Sequence, residues 1–379
     1  MKIAIEAQRI MRKDKHGMDF VIIEVIKQLQ KLDTINEYFI LVAPGKYSPI
    51  EASKNFKIIE LNYKSYPLWE QVGLPRAINI IKPDILHCTS NTAPIFCKVP
   101  LVLTLHDVIF MEAQKQKNVS QYQALGRIYR RFVVPKIITN CKLIITVSNY
   151  EKEQILRTMP QIVKDRIISV YNGFNTNFYY RKDFKEIVKQ YINLDDCMGR
   201  YFFFLGNTDP KKNTIGTLKG YANYVQRVSK PAKLLVADFK KENMEILLKE
   251  NGLGHILPYV ITVGYVLNTH LPYIYSGAQA FLYTSLRESF GIPLLEAMAC
   301  AVPVISSNCS AIPEVAGEGA LLVDPLNQEQ IGDALFNLET CPQLKQKYID
   351  YGLNRVKHFS WENSAKAYLN IYEQINSKK

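Results

Sequence analysis

Glu288-Ser289-Phe290-Gly291-Ile292-Pro293-Leu294-Leu295-Glu296 decides how this chain is read. Ala280-Phe-Leu-Tyr-Thr284 before it has the composition of a buried strand, and Ala297-Met-Ala-Cys-Ala-Val-Pro-Val-Ile305 after it runs from a helix into another strand. Pro293 is placed where a first helical residue would stand, because its missing N–H costs nothing there. The segment is therefore a strand, a turn and a helix, with the N–H groups near Phe290 and Gly291 pointing out of the helix tip toward any anion. Glu288 precedes the turn and Glu296 lies in the first helical turn or so. Beside Leu294, Leu295 and Met298, an unpaired carboxylate costs several kcal/mol, on the order of the penalty for breaking an interior ion pair. Both acids therefore call for hydroxyls or cations as partners.

The rest of the chain extends this pattern. Its 379 residues suffice for two domains with separate cores. Short apolar runs alternate with helical periodicity in both halves, the mark of parallel sheets wrapped by helices. Strands are expected at 2–6, 38–43, 57–61, 84–88, 101–105 and 142–147, with amphipathic helices such as 19–31 and 69–81 between them. A second series is expected at 201–205, 233–237, 259–263, 278–283, 302–306 and 320–323. Val170-Tyr-Asn-Gly-Phe-Asn-Thr-Asn-Phe178, rich in turn formers, separates the two series. The expected domains are 1–172 and 173–360, with a helix over about 361–379 packing back on the first. Sheets of this kind place a ligand cleft outside the carboxyl ends of their strands, between the domains.

Composition narrows the function. No apolar run reaches the roughly 18 to 20 residues of a membrane span, and the early charges of Met1-Lys-Ile-Ala-Ile-Glu6 do not suit a signal peptide. The seven cysteines (88, 97, 141, 197, 300, 309 and 341) form no C-x-x-C pair and read as reduced core filler of a cytoplasmic protein. Asn118-Val-Ser and Asn308-Cys-Ser match the glycosylation pattern by chance. The net charge of +12 is uneven: residues 1–175 hold 25 Lys and Arg against 15 Asp and Glu, the remainder 22 against 20. The basic half suits an anionic partner, whether nucleic acid, phospholipid or a phosphorylated acceptor, although scattered lysines are also an ordinary solvated surface. Between Ser120 and Lys136, Tyr122, Leu125, Tyr129, Phe132 and Val133 recur at helical spacing beside Arg127, Arg130, Arg131 and Lys136. Such a helix either rests on an anionic bilayer, at the inner face of the cytoplasmic membrane, or packs normally with a basic outer face. No D-x-D, zinc-spaced His/Cys cluster, G-x-G-x-x-G or Walker loop occurs, and no aromatic-basic RNA motif stands out. A ligand carrying a diphosphate together with hydroxyls, such as a nucleotide sugar, meets the needs of both glutamates.

Taken together, these segments resemble the retaining nucleotide-sugar glycosyltransferases of family 4, which have the GT-B fold of two facing Rossmann-like domains. The resemblance spans nearly the whole chain. It rests on the E-x7-E of Glu288 and Glu296, on Leu205-Gly-Asn-Thr-Asp-Pro-Lys-Lys-Asn213, and on Thr104-Leu-His-Asp107, Val147-Ser-Asn149, Val170-Tyr-Asn-Gly173, Val263-Gly-Tyr265 and Phe359-Ser-Trp361. It implies that Glu288 meets the transferred sugar and steadies charge at its anomeric carbon, while Glu296 binds the ribose. Ser289, Phe290, Gly291 and Ile292 would lie against the diphosphate, with Lys211 and Lys212 as its cationic clamp and Gly206 opening the loop that carries them. Lysine at 211, where relatives carry Arg, keeps the charge but loses the planar fork. Gly17, in Lys15-His-Gly-Met-Asp19, corresponds to a phosphate-approaching loop, His106 to a histidine near the donor sugar, and Tyr265 to a selectivity loop. Ala301 replaces a common glycine.

The implied donor is GDP- or UDP-linked, with mannosyl favoured. The acceptor is a glycan or a lipid-diphosphate-linked chain, with no metal required and no nucleic acid bound. Same-face displacement, in which the departing phosphate takes the acceptor proton, is the preferred retaining route. A sugar-nucleotide epimerase or hydrolase of the same fold, or an inactive membrane or nucleic-acid adaptor, is the alternative.

Overall fold

The computed structural model describes residues 1–13, 15, 17–112, 121–193 and 200–377. Asn118, Ser120, His16, Cys197 and the last two residues of the expected C-terminal helix fall outside them, as does the Tyr122 side chain. The chain divides into two compact units, Met1–Gly173 with Ser360–Lys379, and Phe174–Phe359.

The first unit carries seven parallel strands: β1 (Lys2–Glu6), β2 (Glu37–Val42), β3 (Phe56–Glu60), β4 (Ile85–Cys88), β5 (Leu101–Thr104), β6 (Leu143–Thr146) and β7 (Ile167–Ser169). Their order is 3-2-1-4-5-6-7. The second carries β8 (Tyr201–Leu205), β9 (Lys233–Ala237), β10 (Val260–Thr262), β11 (Phe281–Tyr283), β12 (Val304–Ser307) and β13 (Ala320–Val323), ordered 10-9-8-11-12-13. Every pairing is parallel, as the near-continuous apolar strands require when both sheet faces are covered by helices. Each unit is thus a doubly wound Rossmann-like sheet. The order reverses between β1 and β4 in one and between β8 and β11 in the other, and such switch points are where doubly wound sheets take ligands.

Separate cores fill the two units. Leu86, Leu103, Ile144 and Trp69 belong to the first, and Phe202, Leu234, Leu282 and Tyr221 to the second. Helix Trp361–Ser377 belongs to the first unit, where it packs on helix Gly17–Leu32, and its Tyr372 hydroxyl lies 2.7 Å from His87 Nδ1 with both side chains fully buried. Gly173 lets this helix begin close by, since a Cβ there would stand 2.1 Å from Trp361 N.

Three details differ from the sequence reading. β7 was not anticipated, because Ile-Ile-Ser is too short to show alternation. The single helix expected over 69–81 is divided into Tyr66–Leu68, a π-turn at Trp69–Gly73 and Leu74–Ile81, the first and last pieces each carrying a proline near the start. In helix Gln121–Ile137 the supposed single stripe splits: Val133 is buried and Tyr129 donates to Glu70, whereas Leu125, Ile128 and Phe132 are 67%, 64% and 57% exposed.

Ala301 follows helix Ile292–Ala299 with φ +56°, in the left-handed region where a Cβ costs about 1 kcal/mol. Ala301→Gly is expected to raise the melting temperature by about 1 to 4 °C, measured by thermal unfolding of the full chain.

Candidate functional site

In the second unit, the loops leaving the carboxyl ends of β8 to β12 each contain a residue in the left-handed region: Asn213 (φ +55°), Asp238 (+59°), Gly264 (+62°), Gly291 (+107°) and Ser310 (+56°). Strained backbone gathered at one sheet end is held by surrounding contacts, and it is a feature of functional sites. Two of these loops are stitched together at the switch point. Leu286 N donates to the Lys211 carbonyl (2.7 Å), Asn213 Nδ2 to the Thr284 carbonyl (3.0 Å), and the Thr217 and Thr284 hydroxyls pair at 2.5 Å. A third loop joins through Glu288 N to Ser310 Oγ (3.2 Å) and Ala311 N to the Glu288 carbonyl (3.3 Å).

This lacing brings Lys212 Nζ to 2.7 Å from Glu288 Oε1, with only 19% and 14% of the two side chains exposed. The supposed phosphate clamp and the supposed sugar-binding acid therefore meet each other. Lys212 also lies over the Tyr283 ring (5.1 Å to its centroid), whose hydroxyl donates to Glu288. Burial, and then the Glu288 charge, hold the Tyr283 phenol well above its ordinary range, so it remains a donor. Lys211 points elsewhere: its ammonium is 3.6 Å from Asp209, whose carboxylate also caps the short turn through Lys211 N (3.1 Å). Asp238 feels the charge of Lys212, which opposes the rise that burial gives its pKa.

Gly291 caps helix Ile292–Ala299, so Ile292 is the first helical residue and Pro293 the second, one position later than the sequence suggested. A side chain at Gly291 would press within 3.0 Å of Ile312 and 3.4 Å of Tyr283 in a backbone conformation it would resist. Phe290 is buried edge-on to Phe359 (5.8 Å), an anchor that fixes the turn. Ser289 lies in the same turn. Glu296 occupies the helix face behind it with no hydrogen bond or ion pair among the described residues. Burial pushes its pKa up to about 8. Both acids act electrostatically on Tyr283, which stands between their fields, and Glu296 acts also on Tyr275, whose buried hydroxyl has no partner.

Gly206 serves close packing, since a Cβ there would lie 2.6 Å from the Phe204 ring. Tyr265, after Gly264, is 71% exposed. Gly17 and His106 belong to the first unit. Gly17 opens helix Gly17–Leu32 with open space around it. His106 lies two residues past the end of β5 as a buried neutral side chain: Nε2 is 3.0 Å from the Thr89 carbonyl and must donate to it, and burial lowers its pKa. Among the described residues no three His, Cys, Asp or Glu side chains cluster as metal ligands, and no helix is long and apolar enough to cross a membrane. The described cysteines are free thiols. The sequence reading missed Tyr283, Asp238 and Ser310. Tyr283 alone carried a signal, a phenol at the end of an apolar strand that needs a polar partner when buried.

The chain is similar to known proteins. Residues 185–355 match the family described as glycosyl transferases group 1, and residues 16–178 match glycosyltransferase family 4. Together they span most of the chain, which belongs to the family 4 glycosyltransferases of GT-B fold. O-antigen chain mannosyltransferase B of Escherichia coli is 28% identical over 72% of this chain and 70% of its own length. The O-antigen chain mannosyltransferase RfbU of Salmonella typhimurium is 25% identical over 83% and 80%. Sucrose-phosphate synthase from Thermosynechococcus elongatus superposes over all of both chains with TM-score 0.75 at 18% identity. Anabaena HepE, solved with UDP and glucose, superposes over 98% of this chain and 99% of its own with TM-score 0.70 at 15% identity.

Ionising Glu296 costs the folded state more than the unfolded one, because its folded pKa of about 8 lies above the ordinary 4.5. The contribution is intact below pH 4.5 and is lost as pH rises through 8. Glu296→Gln is therefore expected to melt like the wild type at pH 4.5 and several degrees above it at pH 9, read from thermal unfolding across that range. Parallel melting curves at every pH would show that the carboxylate is not held away from water.

Proposed function

We propose that this chain transfers a hexosyl group, mannosyl in preference, from a nucleotide-diphosphate sugar to a glycan or lipid-linked acceptor in surface polysaccharide biosynthesis, with retention and without a metal. The observation that carries the reading is the Gly291 helix tip, with the Lys212–Glu288 pair on one side and the unpartnered Glu296 on the other. A diphosphate suits the tip and the Lys212 ammonium, since charge-assisted bonds to phosphate contribute about 1.5 to 3 kcal/mol each. That contribution grows as the leaving group gains charge, which lowers the barrier and not only the binding energy. A ribose diol gives Glu296 the donors it lacks, and the sugar's hydroxyls and developing positive charge occupy Glu288 once Lys212 turns to phosphate. The second unit (174–359) thus binds the donor through Gly206, Lys212, Tyr265, Ser289, Phe290, Gly291, Ile292 and Glu296. The first (1–173, with helix Trp361–Ser377) receives the acceptor, and Gly17 and His106 are its residues proposed to act on the donor. Lys211, engaged by Asp209, is a weaker clamp than Lys212. The named mannosyltransferases among its relatives favour a mannosyl donor, while the neighbour solved with UDP keeps a uridine nucleotide in view.

Work at the cytoplasmic face of the membrane fits the exposed Leu125, Ile128 and Phe132 on helix Gln121–Ile137. Arg131 is occupied by the carbonyls of Phe110, Met111 and Glu112, so Arg130 and Lys136 carry most of the charge available to lipid.

Donor binding, product stereochemistry, variant kinetics and membrane contact each test this reading. A panel of GDP-, UDP- and dTDP-sugars screened by thermal shift is expected to single out GDP-mannose or a close analogue, and NMR of the product is expected to show the donor's anomeric configuration preserved. Turnover without acceptor would point instead to an epimerase or hydrolase. Glu288→Gln is expected to lower kcat by roughly a hundredfold or more with the melting temperature kept, and Glu296→Gln to raise the donor KM about tenfold with little change in kcat. Unchanged kinetics in either would reject its assigned role. Vesicles with anionic lipid are expected to sediment the wild type and to release a Leu125→Ser/Phe132→Ser variant. Equal retention of both proteins would reject this helix as the contact.

A further inference from the structure

The geometry points to Tyr283 as the positioning residue of the reaction: its hydroxyl holds the Glu288 carboxylate in place after Lys212 leaves it for the donor's diphosphate. The inference rests on the role proposed for Glu288 and goes beyond it. Among the described residues Glu288 meets the Lys212 ammonium at 2.7 Å and the Tyr283 hydroxyl. Binding of an anion removes the first. The second cannot leave, because Tyr283 is the last residue of β11, 2% exposed, with its carbonyl bonded by Ser306 Oγ (2.8 Å) and its ring stacked on Phe281 (5.8 Å). A carboxylate only accepts, so the phenol donates. This single fixed donor prevents the freed carboxylate from rotating away or following Lys212 to the phosphate.

Tyr283 also touches the other working parts. Its ring lies under Lys212 and beside the space a side chain at Gly291 would fill. The charged or titratable groups around the Glu288 carboxylate are Lys212, Tyr283 and the neighbouring Arg287, with Asp238 reached through Lys212 and Glu296 beyond Tyr283. Of these only Tyr283 is both neutral and immobile. It neither competes for the phosphate nor departs with it.

Removing the hydroxyl alone separates positioning from packing. Tyr283→Phe in the full chain is expected to lower kcat with GDP-mannose about tenfold, the equivalent of one charge-assisted bond. The GDP dissociation constant, measured by calorimetry, should stay within about twofold. A purely structural tyrosine would lower the melting temperature and leave kcat within about twofold of the wild type, and that result would overturn the inference. Should Tyr283→Phe fold poorly, difluorotyrosine incorporated at position 283 preserves the shape and the donor. It should keep kcat within about twofold of the wild type, and a tenfold loss there would again overturn the inference. Glu288→Gln tells the two claims apart: if it keeps full activity the proposed function itself fails, whereas an inactive Glu288→Gln beside a Tyr283→Phe of wild-type kcat rejects only the role of Tyr283.

Discussion

The Lys212–Glu288 pair is the contact from which the chemistry of this chain follows. A lysine and a glutamate 2.7 Å apart, more than four-fifths withdrawn from water, neutralise each other at the point where the strand order of the second sheet reverses. At an effective dielectric near 20, opposite charges about 4 Å apart attract by roughly 4 kcal/mol, so a singly charged ligand gains little by separating them. A diphosphate carries more charge than one carboxylate and can also accept the N–H groups of the Gly291 tip. It can displace Glu288 from Lys212 where a weaker anion cannot. The displaced acid is then left without its cation in a partly buried place, a costly state unless hydroxyls or positive charge arrive with the phosphate. Phosphate at one end and a sugar at the other answer the two halves of that problem, so in the proposed reaction the ion pair selects for the complete donor over its fragments.

Glu296 shows the complementary arrangement. It lies eight residues along the same segment, yet among the described residues it has no cation and no hydrogen bond, and burial lifts its pKa to about 8. Near neutral pH it is mostly a neutral acid that can donate as well as accept. Two glutamates of one motif thus occupy opposite electrostatic states, one charged and paired, the other largely uncharged and unpaired. Environment, not residue type, divides their roles. The backbone enforces this division, since the left-handed Gly291 turns the chain so that Glu288 faces the β8 loop while Glu296 lies on the helix behind.

Much of this was legible before the structure. Apolar runs flanked by turn formers located twelve of the described strands to within a few residues, because strands buried on both faces leave little room for polar residues. The two acids, Lys212 and the helix after Gly291 were legible because glycine, proline and glutamate each carry a strong local constraint there. What escaped notice depends on contacts distant in sequence. Nothing around Lys212 or Glu288 announces that they pair, because 76 residues separate them and it takes the Leu286–Lys211, Asn213–Thr284 and Thr217–Thr284 bonds to bring their loops together. Asp238 and Ser310 adopt left-handed backbone that glycine would have advertised and they do not. The basic helix misled for a related reason: periodicity revealed its apolar residues but not that Val133 and Tyr129 face inward while Leu125, Ile128 and Phe132 face out.

The two sheets share one winding order, so topology alone cannot say which of them handles the anion. What stands at each switch point can. In the first unit Glu6, at the end of β1, is fully buried and accepts from Gln8 N (2.9 Å), Thr89 N (3.0 Å) and the Thr89 hydroxyl. Backbone N–H groups at this strand end are already taken by a side chain of the protein, and among the described residues no cation pairs with Glu6. In the second unit the equivalent strand end opens into a loop bearing Lys212, and the Gly291 turn caps the helix that follows the neighbouring strand. An internal carboxylate fills one switch point, while a separable ion pair guards the other. That difference of a few residues on the same frame supports the proposed placing of the donor's diphosphate in the second unit.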